Sequence, residues 1–312
     1  MVGASPAMAD AVFEGQTGST MQDLATRGPR TGVKRIVVCA DDYAFTPGVS
    51  RAIRELLAAR RISATSVMTV SEFWPAEAAA LRSVASDADI GLHVTLTDQR
   101  PLAPMPTFAP GGQLPPLARV FRAGLLRQLP LIEIEAEIER QVERFVEHYG
   151  SPPAHIDGHH HMHQLPGVRD IVVAIAARLG HGQTWVRSCW ERPAAVVHRG
   201  VGTAKALVIG ALGPGITRRA RRAGVPVNRG FSGAYDFLAE TRSTAELFRR
   251  FVSGTVGNAV VMCHPGIADA DLAARDPMTT AREAELRYLL GDAWPALLAT
   301  NNLDLGPLNR RP

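Results

Sequence analysis

Several kinds of residue are scarce in this sequence, and each shortage removes a class of protein. Three cysteines occur in 312 residues, Cys39, Cys189 and Cys263. They are odd in number, widely spaced and set in apolar or mixed runs, so neither a disulfide framework nor a CxxC zinc site is expected, and a reducing compartment follows. Lysine is scarcer still, with Lys34 and Lys205 alone. The formal charge of +4 therefore rests on arginine, which reads as a bias of composition and not as the footprint of a nucleic-acid partner. The cluster Arg218, Arg219, Arg221 and Arg222 could bind an anion, but a solvated helix face is the preferred reading. No run approaches the roughly 18 apolar residues that would span a bilayer, and the N-terminus lacks a basic segment followed by an apolar core, so a cytoplasmic protein is expected.

What the chain does have is ample apolar content, 46% of its residues, enough for a substantial core. Residues 1–32 are rich in Gly, Ser, Thr, Ala and Pro without a sustained apolar period and read as a disordered extension. A single domain is expected over 33–312. Within it, short β-like runs alternate with helical ones. Ile36–Ala40, Thr65–Val70, Ile90–Leu96, His155–Asp157, Thr184–Arg187, Val225–Asn228 and Ala259–Cys263 are β-like. Helical periodicity covers Pro47–Arg60, Pro75–Ala85, Ile132–Tyr149, Val168–Leu179 and Ala281–Leu298, and residues 195–224 look helical but interrupted by Gly210, Gly213, Pro214 and Gly215. The proline-rich stretch 98–116 reads as a long functional loop. Such alternation implies a parallel α/β sheet. No Gly-rich dinucleotide fingerprint follows the first strand, so a seven-stranded parallel (β/α) barrel is preferred over an open doubly wound sheet.

The residues that carry chemistry crowd around His155-Ile-Asp-Gly-His159-His160-His161-Met-His163, which holds five of the ten histidines beside a carboxylate. Imidazole and carboxylate are costly to bury unless paired or bound to metal, so the cluster points to a metal site. In parallel α/β folds functional groups gather where strands end. That rule adds Asp41-Asp42, His93 and His264. Each has a plainer alternative: a helix cap for the aspartates, a satisfied core histidine for His93, a turn before Pro265-Gly266 for His264. Joint placement at successive strand ends favours one shared site.

These segments, Cys39-Ala-Asp41-Asp42-Tyr, Ile90-Gly91-Leu92-His93-Val-Thr-Leu-Thr97, His155-Ile-Asp157-Gly-His159-His-His-Met-His163 and Met262-Cys-His264-Pro-Gly266, resemble in order the motifs of the YdjC-like carbohydrate deacetylases, over roughly residues 34–290. The family includes chitooligosaccharide deacetylases and hopanoid-biosynthesis-associated relatives. The resemblance implies a seven-stranded (β/α) barrel, often dimeric, that uses one divalent metal to remove an N-acetyl group from an amino sugar. It implies Asp42, His93 and His159 as metal ligands, Asp41 as general base and His264 as general acid. Where the family carries Phe-Gly after the paired aspartates, this chain has Tyr43-Ala44.

Spacing leaves one ligand open. A helical turn after Asp157 would put His159 and His163 on one face, whereas an extended run would align His159, His161 and His163. The histidines that do not bind metal, His161 and His163 among them, are expected to face substrate or support the ligands, with His155 and Asp157 orienting a ligand imidazole. Arg187 is expected to hold Asp41 ionised or to contact substrate, and Trp185, with Trp190, Phe231 and Tyr235, to offer a sugar-stacking surface. The metal is expected to be Mg or Zn, with Ni, Co and Mn compatible with mixed N and O donors. The substrate would be an acetamido sugar or glycolipid. A metallophosphoesterase or amidohydrolase is the competing enzyme class, and a retired carbohydrate-binding barrel the competing non-enzyme.

Overall fold

The structure, a computed structural model, describes residues 32–179, 183–237 and 239–309. The expected extension over 1–32 lies, but for Gly32, outside the described residues. From Lys34 onward the elements run β1 (Lys34–Tyr43), α1 (Pro47–Ala58), β2 (Ala64–Val67), α2 (Trp74–Arg82), β3 (Asp89–Val94), α3 (Leu117–Leu125), α4 (Leu131–Tyr149) and β4 (His155–Gly158). A tight turn, His159–Gln164, follows. Then come α5 (Val168–Leu179), β5 (Trp185–Val186), α6 (Pro193–Arg199), α7 (Thr203–Arg222), β6 (Gly230–Ser232), α8 (Thr244–Val252), β7 (Ala259–Cys263), α9 (Ala270–Arg275), α10 (Thr279–Leu290), α11 (Ala293–Thr300) and β8 (Leu303–Leu305).

Seven strands pair in parallel in the order β5-β4-β3-β2-β1-β7-β6, and β8 adds to the start of β1. The sheet is the curled barrel-type sheet expected from the alternation. Its two edges meet through one parallel bridge, Val186 to Val227, with the Val186 N–H donating to the Pro226 carbonyl at 3.0 Å. The strands are buried along almost their whole length, as parallel strands covered on both faces must be. Helix α1 shows the local logic: Thr46 caps it by accepting from the Val49 N–H, Pro47 opens it, and Val49, Ala52, Ile53, Leu56 and Leu57 turn inward. All three cysteines are free and buried. No helix among the described residues is long and apolar enough to cross a membrane.

Four expectations are corrected. Residues 225–228 do not form the sixth strand, which falls at Gly230–Ser232. Pro226 has no N–H for a ladder, and the Asn228 side chain instead grips the Ser188 backbone, accepting from its N–H at 2.7 Å and donating to its carbonyl at 2.9 Å. The helix through 195–224 does not break at Gly210–Gly215. It breaks at Gly200–Gly202, where both glycines take left-handed φ, while Gly213 and Gly215 lie inside α7 and admit Trp190 and Arg169 at close approach. The helix expected over 281–298 is two, divided at Gly291-Asp292. Helices α3 and α8 were not anticipated, although Ser243-Thr-Ala-Glu246 is a capping-box pattern and Ser243 does accept from the Glu246 N–H.

Candidate active site

The site begins with an irregularity in β1. The register of β1 against β2 shifts between Ala40 and Tyr43, and Asp42 takes φ 71°. On a regular strand Asp41 and Asp42 would point to opposite faces. The bulge lets both carboxylates approach His93. Ala44 also takes φ 69°, so the left-handed residue that the Phe-Gly pattern would supply with glycine is kept here with alanine.

Neighbouring strands bring the remaining groups. His93, on β3, pairs in register with Asp157 on β4. Its Nδ1 lies 2.7 Å from Asp157 Oδ1, which aims Nε2 at Asp42 Oδ1, 3.4 Å away. His159 brings Nδ1 to the same Asp42 oxygen at 3.1 Å. One atom each from Asp42, His93 and His159 thus lies within 4.8 Å of the other two. The second Asp42 oxygen accepts from Arg282 Nη2 at 2.7 Å, which leaves Oδ1 facing the imidazoles.

Asp41 sits in a different field. Arg187 donates to both of its oxygens, at 2.6 and 2.7 Å, and also meets Asp157 Oδ2 at 2.5 Å. Ser66 donates to Asp157 Oδ2 at 2.5 Å, and His155, stacked on Trp185, lies against Ser66 at 3.2 Å. Gly91 is required for this: a Cβ there would lie 2.3 Å from the His155 ring. Gly266 similarly admits the Arg282 side chain, at 3.2 Å from a Cβ it does not have.

Burial would raise the Asp42 carboxyl, but Arg282 and the two imidazoles outweigh it and hold it well below the usual carboxylate range. Burial likewise opposes ionisation of Asp157, and Arg187 and His93 overcome it. Burial would lower His93, yet the Asp157 carboxylate pushes it up to about 10. A pocket that draws a proton onto the imidazole facing Asp42 favours a cation there, and metal and proton compete for the same lone pair. Two other acid-histidine groups, Asp41 with His93 and Asp157, and Cys39 with His155 and Asp157, are less suited. The Arg187 guanidinium already neutralises the first, and burial raises the Cys39 thiol well above its ordinary value, against thiolate ligation. Asp42, His93 and His159 therefore fit a divalent cation best.

The turn after β4 decides between the histidines. His160 and His161 take φ 53° and 61°, so neither the helical nor the extended spacing holds. His159 faces Asp42, His160 Nδ1 meets Thr97 Oγ1 at 2.9 Å, and His161 Nδ1 lies 3.5 Å from Cys189 Sγ. His163 is fully buried, pairs with the Arg187 carbonyl at 2.9 Å and is lowered by burial to about 4. Trp185, Arg187 and His163 are all fully buried. The Trp185 indole donates to Asp89, and Arg187 pairs with Asp41, as one of the two readings of that arginine expected. His161, also buried, has its ring edge against Phe231. His264 follows β7, its backbone N–H held by Glu285 Oε2 at 2.5 Å and its imidazole lowered to about 4 by burial. Sequence reasoning missed Arg282, Ser66 and Glu285. Nothing in the spacing of a helical arginine 240 residues after Asp42 marks it as that aspartate's partner.

A parallel α/β sheet thus brings two histidines and an aspartate together at the carboxyl ends of its strands, in a set that could hold a metal ion. The chain belongs to the YdjC-like protein family, whose model matches residues 35–300. It is 35% identical over 147 residues to a chitooligosaccharide deacetylase of Enterobacter sp. (strain 638), covering 47% of this chain and 57% of that one. A Serratia marcescens protein of the same name is 38% identical over 149 residues, with 47% and 57% covered. A Klebsiella pneumoniae protein, again so named, matches more fully, 28% identical over 275 residues and covering 87% of this chain and 96% of that one. The chain thus spans little more than half the length of the first relatives. Among solved structures, a protein described as a candidate for cellobiose-phosphate cleavage from Enterococcus faecalis shares the fold, with a TM-score of 0.66, 20% identity and coverage of 89% and 98%.

Proposed function

We propose that the protein is a divalent-metal-dependent hydrolase that removes the N-acetyl group from an acetylated amino sugar or glycoconjugate. The convergence of Asp42 Oδ1, His93 Nε2 and His159 Nδ1 beside an ion-paired Asp41 carries the reading. The name shared by the relatives supports the substrate class. Mg or Zn is the favoured metal, and Ni, Co or Mn suit the same donors. Held there, such a cation would supply Lewis acidity toward a carbonyl oxygen and acidify a water.

The protein's own groups do the rest. Three donors leave positions open for water and for the acetamide oxygen. Asp157 fixes the ring of His93 and Arg282 fixes the free oxygen of Asp42. Arg187 donates to both Asp41 oxygens, and each retains a lone pair beyond the one Arg187 occupies, so Asp41 can take the proton of the attacking water. The leaving nitrogen needs a proton. Burial lowers His264 to about 4, so it is neutral at rest and would have to receive the proton that Asp41 takes from the water before passing it to the leaving nitrogen.

The test is release of acetate from N-acetylglucosamine oligomers and lipid-linked acetamido sugars by protein loaded with divalent metal, together with elemental analysis of Asp42→Ala. Turnover on at least one such sugar, and loss of bound metal in the variant, are expected. Inactivity across a broad acetamido-sugar panel, or full metal content in Asp42→Ala, defeats the reading.

A further inference from the structure

From Gln99 to Ile132 the chain has no Asp or Glu but four arginines, Arg100, Arg119, Arg122 and Arg127. Elsewhere acids are plentiful, 30 in the chain. The same stretch carries five of the nine large apolar side chains exposed among the described residues: Leu117, Leu125, Leu126, Leu131 and Ile132, the last 87% exposed. Arginine and leucine alternate along α3 and the link to α4, and Arg119 and Arg122 line a recess of about 480 Å³ with Ala118, Ala123 and Gln128. Exposed leucines interleaved with arginines, with no acid among them, suit an element that lies in a membrane interface.

The patch is seated beside the candidate active site. Gly124 of α3 packs on Leu165, where a Cβ would lie 2.7 Å away, and Leu131 packs equally closely over Gly167. Both contacts fall directly after the His159–Gln164 turn that supplies His159. Exposed Val197 on α6 and Val208 on α7 add apolar surface, and α7 also contacts that turn.

We infer that α3 and the residues up to Ile132 form a docking surface for an anionic lipid bilayer, with the arginines on the lipid headgroups and the leucines among the acyl chains. Charge selects this occupant over a second copy of the chain. A twofold interface would set Arg119, Arg122 and Arg127 against their own equivalents, with no acid in the stretch to answer them. No helix among the described residues can span a bilayer, so the association is peripheral. If the deacetylase reading also holds, a lipid-borne acetamido sugar would meet the site at the membrane.

The experiment is co-sedimentation of the full chain with vesicles of phosphatidylglycerol and phosphatidylcholine, and with phosphatidylcholine alone. No substrate is used, so failure here is separate from failure of the acetate assay. Binding to the anionic vesicles, weakened by salt and absent with neutral ones, is expected. Removing Arg119, Arg122 and Arg127 together by Ala should lower partitioning about 10²-fold, at about fivefold for each charge. Leu125→Gln with Leu126→Gln and Ile132→Gln should lower it comparably. These side chains are exposed, so thermal unfolding of the variants should match the parent. Equal binding to neutral vesicles, or undiminished binding by both variants, overturns the inference. So does a solution dimer that the glutamine variant splits, which would give the patch to a second copy.

Discussion

Replacing Arg187 by Met would test the charge arrangement at its most buried point. The guanidinium is fully buried and bonds both Asp41 oxygens and Asp157. Methionine fills a similar volume but leaves two buried carboxylates without a guanidinium, with His93, Ser66 and His155 as the partners that remain. Breaking one partner out of a buried ion pair costs about 3–5 kcal/mol, a large part of the roughly 5–15 kcal/mol that holds a domain together. The cost should depend on pH in a fixed direction. Asp157 is held well below the carboxylate range when folded, against its own burial, chiefly by Arg187. A depressed folded value stabilises above the unfolded pKa near 3.9 and is lost as pH falls through the folded value. The Met variant lacks that source of stability, so its deficit should be largest near pH 7 and should shrink as pH drops below about 4. Urea unfolding across pH, with equal denaturant slopes in the two proteins, reads both quantities. Asp41→Asn in the Met background should recover part of the loss. A deficit below about 1 kcal/mol at pH 7, or one that stays constant into acid, would refute the view that Arg187 is there to neutralise these carboxylates.

Three other outcomes follow from the same geometry. Asp41→Asn should keep full metal by elemental analysis yet lose about 10²–10⁴ in acetate release, and near-normal turnover would remove Asp41 as the base. Glu285 is pushed up to about 7 by burial. A raised folded value means that its contribution is full below about 4.5 and declines until about 7, so Glu285→Gln should gain roughly 3 kcal/mol relative to the parent between those limits; a constant difference in unfolding free energy would contradict it. Ala44→Gly relieves a left-handed alanine of about 1 kcal/mol of strain but loosens the unfolded chain by about as much, so its unfolding midpoint should stay within a few degrees of the parent. A large drop would mean that the Ala44 methyl is a packing group.

What could be read in advance was whatever depends on local pattern. Strand ends announced themselves because Ile36–Ala40 and Ala259–Cys263 are apolar runs that stop at an acid or a histidine, and α4 because Ile134, Ile138, Val142 and Phe145 recur at helical spacing. The position of His159 was narrowed by resemblance, and the turn that separates it from His163 could not be, since nothing in three successive histidines declares two of them left-handed. Breaks were misjudged where glycine serves packing: Gly213 and Gly215 look like helix stops but are clearances for Trp190 and Arg169. Arg187 was a candidate partner for Asp41 because it closes a strand, but the countercharge of Asp42 was least legible: Arg282 lies 240 residues away on a helix, and only folding brings the two together.

Those two arginines explain how neighbouring carboxylates on one strand can be given different tasks. Asp41 and Asp42 are chemically identical and adjacent, and both are buried. The bulge and the left-handed Asp42 turn them toward the same imidazole, His93, but onto different partners. Arg187 grips Asp41 by both oxygens. Arg282 grips Asp42 by one oxygen alone and leaves the other between His93 and His159. A carboxylate with both oxygens held by a guanidinium is a poor cation ligand but keeps a lone pair on each oxygen that can accept a proton. One with a single oxygen free is constrained to bind a cation through that atom. On the proposed reading, the division of labour between base and ligand is set by the number of oxygens each arginine leaves open, and Arg187 should not be replaceable by lysine, whose single ammonium cannot reproduce the two-toothed grip on Asp41.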